Sequence, residues 1–337
     1  MVATTNLYLP DECWECVFKF LIDDYNNRSY FKSLSVVSKQ FLCITNSLRS
    51  SLTIYIPTIP FLPCLLQRFP KLTSIDIKCY YYKDLNNLLT QVSRFPLKIT
   101  SLNLSNQLRI PANGLRAFSK NITTLTSLIC PNLENINSTE LLLIADWFPL
   151  LEELDLSYSQ GFMNYYKFLK DFETLSLALF KLRKIDLTNH CYIHDAHLLH
   201  LFKNCKLLDE AILLDCYGIT NDGIASALRK RPTLKSLCFS SMLNPTYITS
   251  NFSDSLASLK SLTSLDFLSF DISNELLSSI AITGLPLRRL VFQDCIGYSY
   301  AGIILFIIQV STYPTFGSSK CQFFEGSTCC RVVFISW

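Results

Sequence analysis

All four histidines of the chain fall in one twelve-residue stretch, NHCYIHDAHLLH, from Asn189 to His200. His190, His194, His197 and His200 lie 4, 3 and 3 residues apart, with Cys191 and Asp195 among them. On a helix this spacing would gather imidazoles on one face, as a metal site or an acid–base pair requires. Cys13-x-x-Cys16 is a second candidate, but no other ligand pair follows at zinc-finger spacing and no βαβ pattern surrounds it. No Gly-rich phosphate loop, nucleophile elbow or H-E-x-x-H is present. Acidic pairs such as Glu152-Glu153 have no fixed acid–base partner. The sequence therefore assigns no catalytic residue, metal-ligand set or cofactor.

The elements that position these residues come from a repeat. The pattern L-x-x-[LI]-x-[LI] begins at Leu72, Ile99, Leu151, Leu182, Leu234, Leu262 and Leu287, with weaker copies at Leu125 and Leu208. The intervals are 27, 26, 26, 31, 26, 26, 28 and 25 residues. The second half keeps register too. Cys216 and Cys295 take position 9, Ile136 and Ile219 position 12, Gly114, Gly223 and Gly302 position 16, and Leu115, Leu141, Ile224 and Ile303 position 17. Alternation in the first half predicts a short strand whose residues 4 and 6 point inward. The second half predicts a helix on the outer face, and stacked units share one continuous core. Strands about 4.8 Å apart would give nine units a spine of roughly 40 Å.

These residues, with Cys205, Thr220 and Asp222, resemble the leucine-rich repeat, in particular its cysteine-containing subtype. The resemblance implies an α/β solenoid, a horseshoe of about nine units over residues 72–306. Within it His190 occupies position 9, where it is expected to bond buried backbone. His194 stands at a helix entrance, and His197 and His200 are expected on the solvated outer face. Leu198, Leu201 and Phe202 take inward positions. A His194–His197 or His197–His200 metal pair is the alternative.

Composition narrows the classes. Nearly half the residues are hydrophobic, 17% are charged and the net charge is +3, which excludes a disordered chain and offers no basic stripe for nucleic acid. The fourteen cysteines are scattered, and no secretory leader pattern opens the chain, so reduced thiols in cytoplasm or nucleus are expected. N-x-[ST] triplets at Asn27, Asn103, Asn121, Asn137 and Asn251 carry little weight in a chain this rich in Asn, Ser and Thr. The longest apolar run, Ala301–Ile308, is far short of the roughly 20 residues of a membrane span. No membrane partner is expected.

Before Leu72 the period is absent. Leu9-Pro10 precedes an acidic helix start at Asp11 and Glu12. Val17, Phe18 and Leu21 form an apolar stripe, and a second helix carries Leu34, Val37, Phe41 and Ile44. So small a core is expected to pack on a partner. These residues, with Ser38 and Lys39, resemble an F-box over residues 7–53, and its position directly before leucine-rich repeats typifies a large F-box class abundant in plants. That family docks a Skp-type adaptor and, through it, a cullin scaffold and RING subunit of a ubiquitin ligase, while its repeats hold the substrate. Carried over, Leu9, Pro10, Val17, Phe18, Leu21, Leu34, Val37 and Phe41 would supply or support the adaptor contact, with residues 54–71 as linker into the solenoid. A helical cap over the first repeat is the alternative, and both roles can coexist. Small-molecule-sensing F-box receptors form a further subclass, but they need a longer, nearly closed repeat ring with a basic floor.

Strand positions 3, 5 and 7 are expected to line the concave face. Asp76, Asn103, Asp155, Asp186 and Asp266 at position 5 are the substrate-binding candidates, with Lys78, Ser105, Ser157 and Thr188 among those at position 7. Asp155 and Asp186 could face a basic segment of a protein substrate, or simply solvate that edge. After about Phe306 no tenth unit is recognisable. Residues 307–337 read as a truncated or divergent tail, with a cap folded over the last repeat as the alternative.

Overall fold

The computed structural model describes residues 9–25, 29–78, 84–107, 109–133, 138–158, 165–240, 246–311, 320–326 and 329–335. Leu7, Asn27 and Asn137 lie outside them. The chain divides into two compact units, residues 1–103 with 113–125, and residues 104–112 with 126–337.

The first unit opens with helices α1 (Asp11–Tyr25), α2 (Ser29–Ser35) and α3 (Lys39–Leu48). The Ser38 hydroxyl caps α3 by accepting the Phe41 amide at 3.1 Å. Trp14, Phe18 and Phe41 fill the space between α1 and α3, with Phe18 and Phe41 edge to face at 4.9 Å. Strands β1 (Ser51–Ile54), β2 (Ser74–Ile77) and β3 (Ser101–Asn103) follow, pairing in parallel and in order. Between them run a 3-10 turn (Ile56–Phe61), α4 (Leu62–Arg68) and α5 (Leu85–Val92), with α6 (Ala112–Asn121) after β3.

Here the expected boundary moves. Residues 51–54 form a repeat strand across the expected end of the helical module at residue 53, and residues 54–71, expected as linker or solenoid entry, form the second half of a repeat. Ser51 stands opposite Ser74, which puts Arg49 where the other units have leucine or isoleucine. Leu52 and Ile54 are buried as positions 4 and 6. Pairing with β2 and two inward side chains suffice for the strand without the leading leucine.

The second unit carries β4 (Ser127–Ile129), α7 (Ser138–Trp147), β5 (Glu153–Asp155), α8 (Tyr165–Ala178), β6 (Lys184–Asp186), α9 (Asp195–Asn204), β7 (Glu210–Leu213) and α10 (Asn221–Leu228). It continues through β8 (Ser236–Ser240), β9 (Thr246–Tyr247), α11 (Ser250–Ala257), β10 (Ser264–Leu268), β11 (Phe270–Asp271), α12 (Asn274–Ile282), β12 (Arg289–Gln293), α13 (Tyr300–Ser311), β13 (Lys320–Gly326) and β14 (Cys329–Ile335). Strands β4, β5, β6, β7, β8, β10 and β12 form one parallel ladder in chain order, while β9 and β11 pair separately. Each strand of the parallel ladder is followed by a helix before the next ladder strand, in two cases after a short extra strand, the leucine-rich-repeat plan in both units.

The inward rows are as the alternation requires. From Ile75 and Ile77 through Leu154 and Leu156 to Leu290 and Phe292, positions 4 and 6 are at most 2% exposed. Late in the array Phe239, Phe252, Phe267, Phe270 and Phe292 form a continuous ring cluster. In seven of the repeats position 8 turns the chain out of the strand with positive φ, at Asn106, Asn132, Tyr158, Asn189, Asp215, Ser269 and Asp294. Five of these are Asn or Asp, which tolerate the left-handed region best among side-chain-bearing residues.

Strands β13 and β14 form an antiparallel hairpin, and β14 pairs antiparallel with β12 along Arg289–Gln293. The ladder therefore continues past the last parallel strand. The pairing is non-local and needs no repeat motif, so the period could not announce it. No helix among the described residues is long and apolar enough to cross a membrane.

Candidate functional site

The histidine stretch serves the repeat. His190 is buried, and its Nε2 lies 2.7 Å from the Leu156 carbonyl, the position-6 carbonyl of the preceding repeat. Cys216 and Cys295 at the same position donate Sγ–H to Leu187 and Phe267, again position-6 carbonyls of the preceding repeats. Position 9 thus supplies a donor to a strand-end carbonyl that the ladder leaves over. For His190 this fixes Nε2–H as the tautomer, and Nδ1 is buried without a hydrogen-bond partner. Burial lowers the His190 pKa, with partial opposition from the Leu156 bond. Burial raises the Cys216 thiol to about 12 and Cys295 to about 11, so both are protonated donors rather than nucleophiles.

His197 corrects the reading of an exposed outer face: it is 0% exposed. Its position 16 holds glycine in three other units, because the previous unit fills the space. A Cβ at Gly223 would stand 1.9 Å from Asp195 Oδ1, and one at Gly114 2.8 Å from Asn86 Cα. Asp195 is held there by accepting the Thr220 amide and hydroxyl, both at 2.7 Å. The unit before His197 is the 31-residue one, and it presents Phe172, whose ring meets the imidazole edge to face at 5.4 Å. His197 Nδ1 accepts the His194 amide at 3.1 Å. Burial first, then the neighbouring His194, bring the His197 pKa down to about 4. His200 is half-buried beside Glu173, at 3.3 Å. Among the described residues no three His, Cys, Asp or Glu side chains converge on a metal position.

The strand face away from the helices holds the substrate candidates, in separate sets. In the first unit Asp76 stands opposite Asn103. Asp76 Oδ2 lies 3.5 Å from Lys78, and its Oδ1 is buried without a hydrogen bond. In the second unit Asp155 stands opposite Asp186. Both cap their own turns, Asp155 accepting the Ser157 amide and Asp186 the Thr188 amide at 2.9 Å. Burial raises the Asp186 pKa, the Thr188 hydroxyl and amide lower it, and Asp155 adds to the rise, which prevails. Ile212 and Cys238 separate this pair from Asp266, which is gripped by Arg289 at 2.8 and 3.2 Å. The five candidates are not one cluster. Ser157 and Thr188, expected on this face at position 7, are buried, as is Val291 at position 5.

The face also carries ladders that the position-5 row does not reveal. At position 3, Lys184 bridges Glu153 at 3.4 Å and Glu210 at 3.6 Å. Burial lowers the Lys184 pKa, but Glu210 and Glu153 outweigh it, and the ammonium ends above its ordinary value. At position 2, Arg183 lies between Glu152 and Asp209, and Lys235 binds Asp209 at 3.2 Å. The signal was in the sequence: LEE, LRK, LDE and LKS alternate in sign when the units are stacked.

On the helical module the carried-over residues divide. Leu9, Val17 and Val37 are exposed, Phe18 is 1% exposed, and Leu21, Leu34 and Phe41 are half-buried. Phe18 can therefore only support a contact from inside. The residues missed are Phe20, 67% exposed, and Val36, 79% exposed. Val17 and Phe20 share a face of α1, three residues apart.

No protein-family model matches the chain. Three solved structures resemble it in fold. The leucine-rich repeat-containing protein LegL7 from Legionella pneumophila is 14% identical, covering 84% of this chain and 94% of its own, with a TM-score of 0.48. The Rad7 and Elc1 complex in yeast gives 15% identity, 90% and 72% coverage, and a TM-score of 0.49. The TLR13–ssRNA13 complex gives 19%, 69%, 34% and 0.43.

Proposed function

We propose that the chain is a non-catalytic, substrate-recruiting subunit of a Skp–cullin–F-box ubiquitin ligase, working in cytoplasm or nucleus. The N-terminal helices dock a Skp-type adaptor, which joins them to the cullin scaffold and RING subunit, and the strand face of the repeats receives a protein substrate. The observation that carries this reading is the apolar surface of the helical module. Leu9, Val17, Phe20, Val36 and Val37 face solvent while Phe18 is sealed inside. Apolar residues concentrated on so small a module are the usual mark of a protein-binding surface.

A second reading, helices that only cap the repeats, is favoured by the ties between them. Glu15 of α1 pairs with Lys71 at 3.6 Å and accepts the Ser47 hydroxyl at 3.1 Å, and Arg68 Nε donates to Asn46 Oδ1 at 3.0 Å. A cap needs such ties but no exposed Phe20.

The test is capture of the full chain by a purified Skp-type adaptor, beside a Val17→Asp/Phe20→Asp variant. Both sites are exposed, so folding should be retained. Capture of the unmodified chain and none of the variant supports docking. No capture of a demonstrably folded full chain leaves the capping role.

A further inference from the structure

Five repeats of the second unit enter their strands through the same tight turn. The amides of Leu151, Leu182, Leu208, Leu234 and Leu262 bond the carbonyls three residues back, those of Phe148, Leu179, Cys205, Arg231 and Leu259, at 3.0–3.4 Å. Both ends of each turn are buried, and its central residues are turned to solvent. Residues 149–150, 180–181, 206–207 and 232–233 are exposed, as is Lys260. The strand register stacks these turns about 4.8 Å apart, so the five form an edge of roughly 19 Å. Arg231 ties neighbouring turns together, its guanidinium donating to the Phe202 carbonyl at 2.9 and 3.2 Å and to the Lys206 carbonyl. The edge is preformed.

Its side chains are of two kinds. Leu150, Phe180 and Leu207 are 43%, 49% and 38% exposed, and Leu177, in the last turn of α8, is 61% exposed. Lys181, Lys206 and Lys260 stand in the same turns, with Lys203, Arg229 and Lys230 beside them at the ends of α9 and α10. Among the described residues none of these five lysines forms a salt bridge, and Arg229 bonds the neutral Asn251. The acids at the adjoining position 2, Glu152 and Asp209, are already held by Arg183 and Lys235. Cations near helix C-termini complement the helix dipole, but the dipole gives no reason for four large apolar side chains among them.

From this we infer that the turn edge docks on an anionic lipid surface, with Leu150, Phe180 and Leu207 entering the headgroup layer and the lysines meeting its phosphates and carboxylates. The cations are spread along four successive turns, which suits an extended field of charge rather than one anionic group. An acidic peptide meets that charge, yet covers the apolar side chains only if it carries apolar residues in step. A bilayer offers headgroups above hydrocarbon and needs no register. Lysine suits the role, since its apolar stem lies along apolar neighbours while the ammonium reaches the charged layer. Such contact lies on a membrane and requires no spanning helix. The edge is distinct from the exposed α1 face and from the strand face, and it does not depend on the ligase reading.

The test is cosedimentation of the full chain with vesicles of phosphatidylcholine and phosphatidylserine at about two to one, beside vesicles of phosphatidylcholine alone. Partition into the mixed vesicles is expected to be about tenfold or more stronger, with the advantage shrinking as salt rises. Lys206→Glu/Lys260→Glu and Phe180→Ser/Leu207→Ser alter exposed residues, so the fold, checked by circular dichroism, should be kept. Each should weaken partition into the mixed vesicles by about tenfold. Lys32→Glu/Lys39→Glu makes the same change of net charge on exposed residues of the first unit and should bind as the parent does. An immobilised peptide of alternating glutamate and leucine runs alongside as the protein-like alternative. The proposal is overturned by no partition into mixed vesicles, with or without capture by the peptide, or by equal partition into both kinds of vesicle. Binding unchanged in both edge variants of confirmed fold overturns it too, as does an equal loss in Lys32→Glu/Lys39→Glu.

Discussion

The helical N-terminus and the strand face of the repeats solve the problem of a solvent-facing surface in opposite ways. On α1 and the turn after α2, Val17, Phe20, Val36 and Val37 stand in water. On the strands from Leu151 to Ser240, inward rows are sealed and the outward rows carry acids and bases that meet across neighbouring strands. The first surface gains free energy only when something covers it, at about 25 cal/mol per Å² of apolar area removed from water. The second already satisfies much of its own charge, so a partner must displace internal pairs to bind. On the proposed function, one surface would offer affinity and the other would select.

Breaking the first surface should have the largest effect. Val17→Asp/Phe20→Asp is expected to abolish adaptor capture while shifting the melting temperature little, because neither side chain is in the core. Phe18→Ala reverses that pattern: it empties the space against Phe41 and should cost about 3–5 kcal/mol of stability in denaturant titration. A Phe18→Ala protein as stable as the parent would mean that the α1–α3 packing is not the module's core.

The histidines sharpen the contrast within the repeats. The unfolded chain protonates its histidines near pH 6.5, while folded His197 stays neutral down to about 4. Between these values the unfolded state holds more protons, so stability is full above about 6.5 and falls as the pH drops toward 4. His197 alone would contribute a loss on the order of 3 kcal/mol, and buried His190 acts with the same sign. His197→Phe should flatten the slope of melting temperature against pH over that window; an unchanged slope would place the titration elsewhere.

The smallest effect belongs to the charge ladder. Lys184→Ala leaves Glu153 and Glu210 without their shared cation, yet the groups are partly exposed, and the expected cost is below about 1 kcal/mol. Its stronger signature would be in substrate selection, since the same face becomes more acidic.

Much of the repeat plan was legible in the chain. Leucine, isoleucine and phenylalanine at positions 4 and 6 set the strand faces, Cys216, Cys295 and His190 set the strand-end donor, and Gly223 and Gly302 set the close approach of neighbouring helices. Alternating signs in LEE, LRK, LDE and LKS were equally local once stacked. Each feature repeats, so the period amplifies it. Arg49 hid the first repeat because it breaks the leading leucine, although Leu52 and Ile54 still pack.

What the tertiary structure alone decided depends on which residues of different repeats come together. His197 is buried because the longer preceding repeat brings Phe172 where others bring a polar residue that demands glycine. Asp266 is neutralised by an arginine one strand away, and the tail joins β12 through backbone pairing that carries no motif. Phe18 goes inside and Phe20 outside because α1 turns one face to α3. The sequence by itself determined which residues face inward within a repeat, since that follows from the two-residue period of a strand and the 3.6-residue period of a helix. Partnership between distant residues is set by packing, and packing has no period to read.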